Sequence, residues 1–197
     1  MILLIDFEKA FDSVEITIIF SAIQTNGIRG NLLKAVEAIY EKITASVRVS
    51  DHQSNEFACP VGLRQGCPLS PILFCLFINE LHDMLIHNET RGIQLQPSSI
   101  ELFLLMFADD IAFIADTISN LQKQLNILQS FCDQSKLKVN VNKTKIVVFK
   151  RGGQLSRRER WTYNNNEIEV VSGFTYVGVY FTNRLSLHKM AESMSCK

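Results

Sequence analysis

No Cys-x-x-Cys pair occurs in this sequence, and none of its four histidines stands at zinc-ligand spacing from a cysteine. The five cysteines, Cys59, Cys67, Cys75, Cys132 and Cys196, are odd in number and widely dispersed. A zinc site or a disulfide framework is therefore not what organises the chain, and a reducing intracellular setting, nucleus or cytoplasm, is the default expectation. Charge of either sign is not in excess: 20 Lys and Arg balance 20 Asp and Glu, which argues against a protein that coats nucleic acid by bulk charge. The opening MILLID lacks the basic n-region of a signal peptide. No apolar run reaches the roughly 18 residues of a membrane span, so no membrane partner is expected. Internal repeats and low-complexity segments are also lacking.

What is present is a chain of 197 residues, 47% hydrophobic and 20% charged. That is enough to bury a sizeable core as one domain, or as one and part of another. Charge is uneven locally: Lys143, Lys145, Lys150, Arg151, Arg157, Arg158 and Arg160 face a single acid, Glu159, within that stretch. Such a run steers a phosphate backbone or is an ordinary solvated loop.

The order of elements is legible from periodicity. ILLID (Ile2 to Asp6) reads as a buried strand that starts with no lead-in, as though in mid-fold. Ile16, Ile19, Phe20 and Ile23 mark a helix capped by Asp12 or Ser13 and ended at Gly27. A second helix runs from about Asn31 to Lys42. TASVRVS and EFACPVG form a hairpin around DHQSN. Ser70 and Pro71 open a buried apolar helix. Two strands flank Asp109–Asp110, and Ser119 caps a helix carrying Leu121, Leu125, Leu128 and Cys132. KIVVFK is a strand, WTYNNNEIEVV a hairpin with an asparagine turn, and FTYVGVYF closes the series. The fold class expected is α+β, an antiparallel sheet packed on helices.

One segment contradicts its own surroundings. In LLMFADDIAFIA ten of twelve residues are apolar, yet Asp109 and Asp110 stand side by side at its centre. Taken alone the pair is also a polar turn. Two carboxylates desolvated together repel, so either a pKa rises or a cation compensates them. A hard divalent ion with oxygen ligands, Mg²⁺ above all, resolves the conflict. Asp6, at the end of the first apolar strand, is the best third carboxylate; Asp12 reads more simply as a helix cap, and Asp116 falls at the far end of the hairpin. Three carboxylates around paired Mg²⁺ ions suit phosphoryl transfer.

LLIDFEKAFDSV, GLRQGCPLSPILFCLFINEL, FADDIAFIAD, VNVNKTKIVVF and GFTYVGVYF occur in this order. Together, over residues 2 to 184, they resemble the palm motifs of reverse transcriptases of non-LTR (LINE-type) retrotransposons. The resemblance implies a polymerase palm over residues 1–150, primer-grip-like hairpins over 151–184 and the start of a thumb or connector over 185–197. It implies RNA-directed DNA polymerisation, a nucleotidyl transfer with an RNA template, a DNA primer, dNTPs and two Mg²⁺ ions, Mn²⁺ being an alternative. Asp6 and Asp109 would be the principal metal ligands, Asp110 a supporting carboxylate and the Phe7 carbonyl a backbone ligand. Phe11 would stand under the incoming sugar and exclude a 2′-hydroxyl; without the motif it is a core phenylalanine. Arg64 would face phosphate, Gln65 the nucleotide or template, and Gly66 would allow close approach. Lys143 would protonate the leaving pyrophosphate, with Lys145 as its competitor. Tyr176, Val177 and Gly178 would form the primer-gripping bend.

Polymerases of this family carry a basic fingers region ahead of the first palm strand, and the motifs here begin at that strand. The expectation is a palm fragment with little or no polymerisation of its own. Two other readings stay open: a retroelement-derived remnant that binds nucleic acid or protein, and a nucleotide cyclase, whose palm-like fold also pairs aspartates around two metals.

Overall fold

The computed structural model describes residues 1–41, 43–150, 159–185 and 191. The chain divides into two compact units. The first comprises Met1–Glu8, Leu81–Gln134 and the described residues from Lys138 onward; the second comprises Lys9–Glu80 and Ser135–Leu137.

The first unit is built on a five-stranded sheet. Its order is Glu169–Val171, Lys145–Val147, Ile2–Ile5, Asp110–Ile114, Leu104–Phe107. The first strand, ILLI, is apolar throughout, and three of its four residues are buried. It pairs antiparallel with Asp110–Ile114 on one side and Lys145–Val147 on the other. The Glu169–Val171 edge is parallel to its neighbour, in register Lys145↔Glu169. Periodicity does not reveal that pairing, because the strand arrives after a separate hairpin, Thr162–Tyr163 with Asn166–Glu167. Asn164 and Asn165 turn that hairpin with φ of +46° and +61°, the paired left-handed conformation that asparagine tolerates.

The helix Ile118–Ser135 carries buried Leu121, Leu125, Leu128, Phe131 and Cys132. Its start is capped by Thr117, whose Oγ1 accepts the Asn120 N–H at 3.2 Å, rather than by Ser119. Fully buried Gln124 donates its Nε2 to the Ile114 carbonyl at 3.1 Å.

In the second unit, helices Ile16–Thr25 and Gly30–Tyr40 follow a short helical turn, Ala10–Ser13. Asp12 and Ser13 lie inside that turn, and Glu15 stands at the N-cap of the next helix without a side-chain cap bond. The expected capping role of Asp12 and Ser13 is thus overturned: one residue of extended chain, Val14, intervenes. The second helix stops at Tyr40, short of the expected Lys42, which lies outside the described residues. Thr44–Ala45 pairs with Phe57–Ala58 and Arg48–Val49 with His52–Gln53, so the expected hairpin forms, but its tight turn is Ser50–Asp51 and His52–Gln53 of DHQSN join the returning strand.

The apolar helix Leu69–His87 begins one residue before Ser70. The Ser70 hydroxyl donates to the Arg64 carbonyl at 2.7 Å and shares a 3.0 Å hydrogen bond with the Tyr40 hydroxyl, in place of the expected N-cap. This helix is 19 residues long with a mean hydropathy of 1.5, so by length and composition it could cross a membrane. Asn79, Glu80, His82 and Asp83 interrupt it, so no unbroken apolar run of that length occurs. Leu73, Phe74, Phe77, Ile78, Leu81 and Leu85 on the same helix are nonetheless buried within the fold, as in the core helix of a globular domain.

Candidate active site

The aspartates lie where the central strands end. Phe107 pairs with Asp110, so Ala108 and Asp109 are the two turn residues of the hairpin. Ala108 has φ of +54°, a left-handed conformation that costs a residue with a Cβ about 1–2 kcal/mol. The first strand pairs with the hairpin in the register Leu4↔Ala112 and Ile5↔Ile111. One further step sets Asp6 opposite Asp110. Strand alternation gives Asp6 the face of Leu4, and Asp110 the face of Ala112, which is the same face.

The electrostatics agree with this register. The Asp110 carboxyl is held above the ordinary carboxylate range, first by partial desolvation, then by repulsion from Asp109 and from Asp6. None of the three has an ion-pair partner among the described residues. Three carboxylates at the ends of paired strands, with no ion-pair partner among the described residues, are of the oxygen-donor type that suits a hard divalent ion. Among the described residues, no group of three or more acidic, histidine or cysteine side chains is already converged as a metal cage.

Phe7 makes an isolated antiparallel bridge to Val139. The bonds of that bridge are made by its flanks: Asn140 N–H to the Asp6 carbonyl and Glu8 N–H to the Lys138 carbonyl, each at 2.8 Å. In such a non-hydrogen-bonded pair the central carbonyl points away from the partner strand, so the Phe7 oxygen is turned outward from Val139. Asp116, the rejected competitor, instead accepts a 2.8 Å bond from Asn120.

Lys143 is exposed, and its ammonium has no partner among the described residues; its backbone N–H bonds Asn140. Lys145 is committed elsewhere, with a 2.6 Å ion pair to Glu169 and a short bond to the Asn142 carbonyl. That commitment separates two lysines the sequence leaves in competition. Of the basic run, Arg151, Arg157 and Arg158 lie outside the described residues, Lys150 pairs with Glu159, and Arg160 approaches Glu167 at 3.6 Å.

The primer-grip candidates close the same unit. Gly173–Tyr176 pairs with Val179–Thr182, so Val177 and Gly178 are the turn, with φ of +46° and +79°. The Tyr176 hydroxyl donates to the Asp110 carbonyl at 3.2 Å. Burial, then the Asp110 charge, pushes the Tyr176 phenol up. This bond ties the bend to the aspartate turn, a link no spacing in the sequence announces. Most of the expected thumb start, 186–190 and 192–197, lies outside the described residues.

The remaining candidates belong to the second unit. Phe11 stacks on Phe74, ring centroids 4.5 Å apart and planes inclined by 25°. The Gln65 amide donates to Asp12 Oδ1 at 2.9 Å, and Arg64 Nη1 donates to the Ile39 carbonyl at 3.4 Å. Leu63 N–H reaches the Phe11 carbonyl at 2.7 Å and Gly62 N–H the Val14 carbonyl at 2.9 Å, so this loop is pinned to the segment bearing Phe11. A side chain at Gly62 would meet the Asp12 carbonyl at 2.9 Å, which requires glycine there. Gly66, at φ +80°, has open space beside it.

Asn140 and Thr144 escape sequence reasoning, although both lie in VNVNKTKIVVF. Thr144 Oγ1 accepts the Asp6 N–H at 3.2 Å. The available signal was a threonine entering a strand otherwise bounded by lysines.

The strand order, with an aspartate-bearing hairpin paired beside the first strand and a second hairpin tied to it by Tyr176, is that of a polymerase palm. The family model for "Reverse transcriptase (RNA-dependent DNA polymerase)" matches residues 1–181, and the chain belongs to this family. It is 31% identical over 139 residues to the retrovirus-related Pol polyprotein of the type-2 retrotransposable element R2DM of Drosophila melanogaster, covering 71% of this chain and 13% of that protein. It is 24% identical over 190 residues to the Pol polyprotein of a type-1 R2 element of Nasonia vitripennis, covering 92% and 18%. Among solved structures it resembles apo telomerase from Candida tropicalis, with a TM-score of 0.66 at 15% identity, covering 94% of this chain and 32% of that one. Telomerase from Candida albicans with a fragment of telomeric RNA gives 0.62 at 16% identity, covering 94% and 29%. The chain thus spans a minor part of each relative, 13% and 18% of these two polyproteins.

Proposed function

We propose that this chain is the catalytic palm of an RNA-directed DNA polymerase of a non-LTR retrotransposon, transferring a dNTP to a primer 3′-hydroxyl on an RNA template. The observation that carries the reading is the row of Asp6, Asp109 and Asp110, which has no ion-pair partner among the described residues and in which partial desolvation, then repulsion from Asp109 and Asp6, raises the Asp110 carboxyl. Two bound Mg²⁺ ions would supply an acidified primer hydroxyl and charge stabilisation at the leaving oxygen. Asp6, Asp109 and the outward-turned Phe7 carbonyl would hold them, with Asp110 in support. Lys143, unlike Lys145, is free among the described residues to donate a proton to departing pyrophosphate. Tyr176, Val177 and Gly178 form the bend that would seat the primer, its tyrosine fixed to the aspartate turn. In the second unit, Phe11 would discriminate against ribonucleotides, while Gln65, Arg64 and Gly66 would line the approach of nucleotide and template. Gln65 must release Asp12 to do so. Residues 1–150 would serve as palm and 151–184 as primer-grip hairpins.

Calorimetric titration with Mg²⁺ tests the carboxylate row directly. The wild-type chain is expected to give a binding heat that Asp109→Ala removes; identical heats for the two would overturn the reading. Extension of a DNA primer on an RNA template by the isolated chain is expected to be slight, because its relatives are several times longer.

A further inference from the structure

Asp6 stands one residue past the end of the first strand, where ladder pairing stops on both sides. Its backbone is nonetheless clamped at both polar groups. Its N–H donates to Thr144 Oγ1 at 3.2 Å, and its carbonyl accepts from the Asn140 N–H at 2.8 Å. The neighbouring strand has by then left the sheet: Leu4 pairs with Lys145, and the chain before Lys145 turns away through 141–143. The threonine hydroxyl therefore stands where the next strand carbonyl would have been.

The clamp is itself braced. Thr144 is fully buried, and its own N–H donates to the Asn140 carbonyl at 2.9 Å. Its β-branched side chain has few rotamers, so the acceptor is fixed in direction. Phe7 follows immediately, bridged to Val139. Fixing the Asp6 N–H therefore fixes two oxygens of the proposed metal set, the Asp6 carboxylate and the Phe7 carbonyl.

We infer that Thr144 is a positioning residue: its buried hydroxyl extends the sheet by one hydrogen bond and aims Asp6 at the cation shared with Asp109. The inference rests on the metal reading above. An outer partner that orients a ligand typically changes metal affinity by about 10- to 100-fold when removed. Serine keeps the oxygen, valine keeps the shape and loses the acceptor, and cysteine keeps the size with a poor acceptor.

The test is Mn²⁺ binding to the full 197-residue chain, read from the loss of the free-ion electron paramagnetic resonance signal, with a thermal melt of each variant. Thr144→Val is expected to weaken Mn²⁺ binding by about tenfold or more, while Thr144→Ser stays within about threefold of wild type. If the valine variant does not melt cooperatively, Thr144→Cys takes its place with the same expectation. Asp109→Ala is run alongside. Wild-type binding that Asp109→Ala leaves unchanged would overturn the metal reading itself. Binding sensitive to Asp109→Ala but equal in Thr144→Val, or a serine variant as weak as valine, would overturn the positioning role alone.

Discussion

The two faces of the central sheet carry the same kinds of residues to opposite ends. On one face Leu3, Ile111, Phe113 and Ile146 are completely buried. On the other, the strand ends bear Asp6 and Asp110, while Leu105 and Phe107 are 40% and 64% exposed. The middle of that second face is only partly roofed. Leu4, Ala112 and Val147 form a small cluster against which Phe149, Phe174 and Tyr176 pack, and a cleft of about 480 Å³ opens beside them. One face holds the sheet together, and the other is left open toward the carboxylates. The cost of an open face is met by the closed one.

Two phenylalanines on the same hairpin give the strongest way to break that comparison. Phe113→Ala empties a fully enclosed site and is expected to cost about 3–5 kcal/mol. Phe107→Ala removes a ring that is mostly in water and is expected to cost within about 0.5 kcal/mol. Urea midpoints of the two variants measure the difference. Equal losses would show that both faces are load-sharing and that the open face is covered in solution.

Titration distinguishes the closed interior next. Burial pushes the Cys132 thiol up to about 11 from an ordinary value of 9.0. The unfolded chain ionises first, so this stability is whole below about pH 9 and is lost as pH rises toward 11. At pH 10.5 the loss relative to pH 8 is about 2 kcal/mol, at about 1.36 kcal/mol for each tenfold change in the ionisation constant. Tyr163, raised by burial and by Cys132, acts in the same direction at higher pH. Denaturation of wild type and Cys132→Ala at both pH values reads the effect: the alanine variant starts less stable but is expected to lose less on alkalinisation. Parallel losses would remove Cys132 as the cause.

Strain marks the open side. Val177 is a β-branched residue at φ +46° in the hairpin turn whose Tyr176 holds the Asp110 carbonyl. Asparagine suits the first position of a turn with two left-handed residues. Val177→Asn is therefore expected to stabilise the chain by about 1 kcal/mol, seen as a higher melting temperature. An unchanged or lower value would mean that the valine side chain returns what its backbone costs.

The strands and the aspartates were legible because they depend on short-range pattern. ILLI and the runs flanking Asp109–Asp110 are each one strand long, and charge inside an apolar ribbon is conspicuous at any distance from its partner. Asp6 was found by the same logic, as a carboxylate ending a strand. What was not legible required knowing which segments meet. Thr144 matters because it reaches Asp6 across 138 positions, and Glu169–Val171 joins the sheet in parallel after a hairpin that says nothing of its destination. Helix caps failed for a smaller reason: Thr117 and Ser119 are both good N-caps by type, and only the chain's geometry chooses between them. Ser70 was drawn off its helix start by two stronger partners, Arg64 and Tyr40.

The smallest expected effect bears most directly on why the open face stays charged. Asp110 is raised by desolvation and by Asp109 and Asp6, so keeping it ionised at neutral pH costs folding free energy. The sign follows from its raised pKa. The penalty is absent under acid conditions, where both states are protonated, and appears as pH rises past the ordinary carboxylate range. Asp110→Asn is expected to melt slightly above wild type at pH 7 and level with it under acid conditions, while binding Mn²⁺ less tightly. A variant less stable than wild type at pH 7 would mean that the carboxylate already has a compensating partner in the folded chain. Gain in stability with loss of metal would instead identify the repulsion among Asp6, Asp109 and Asp110 as strain that only a bound cation relieves.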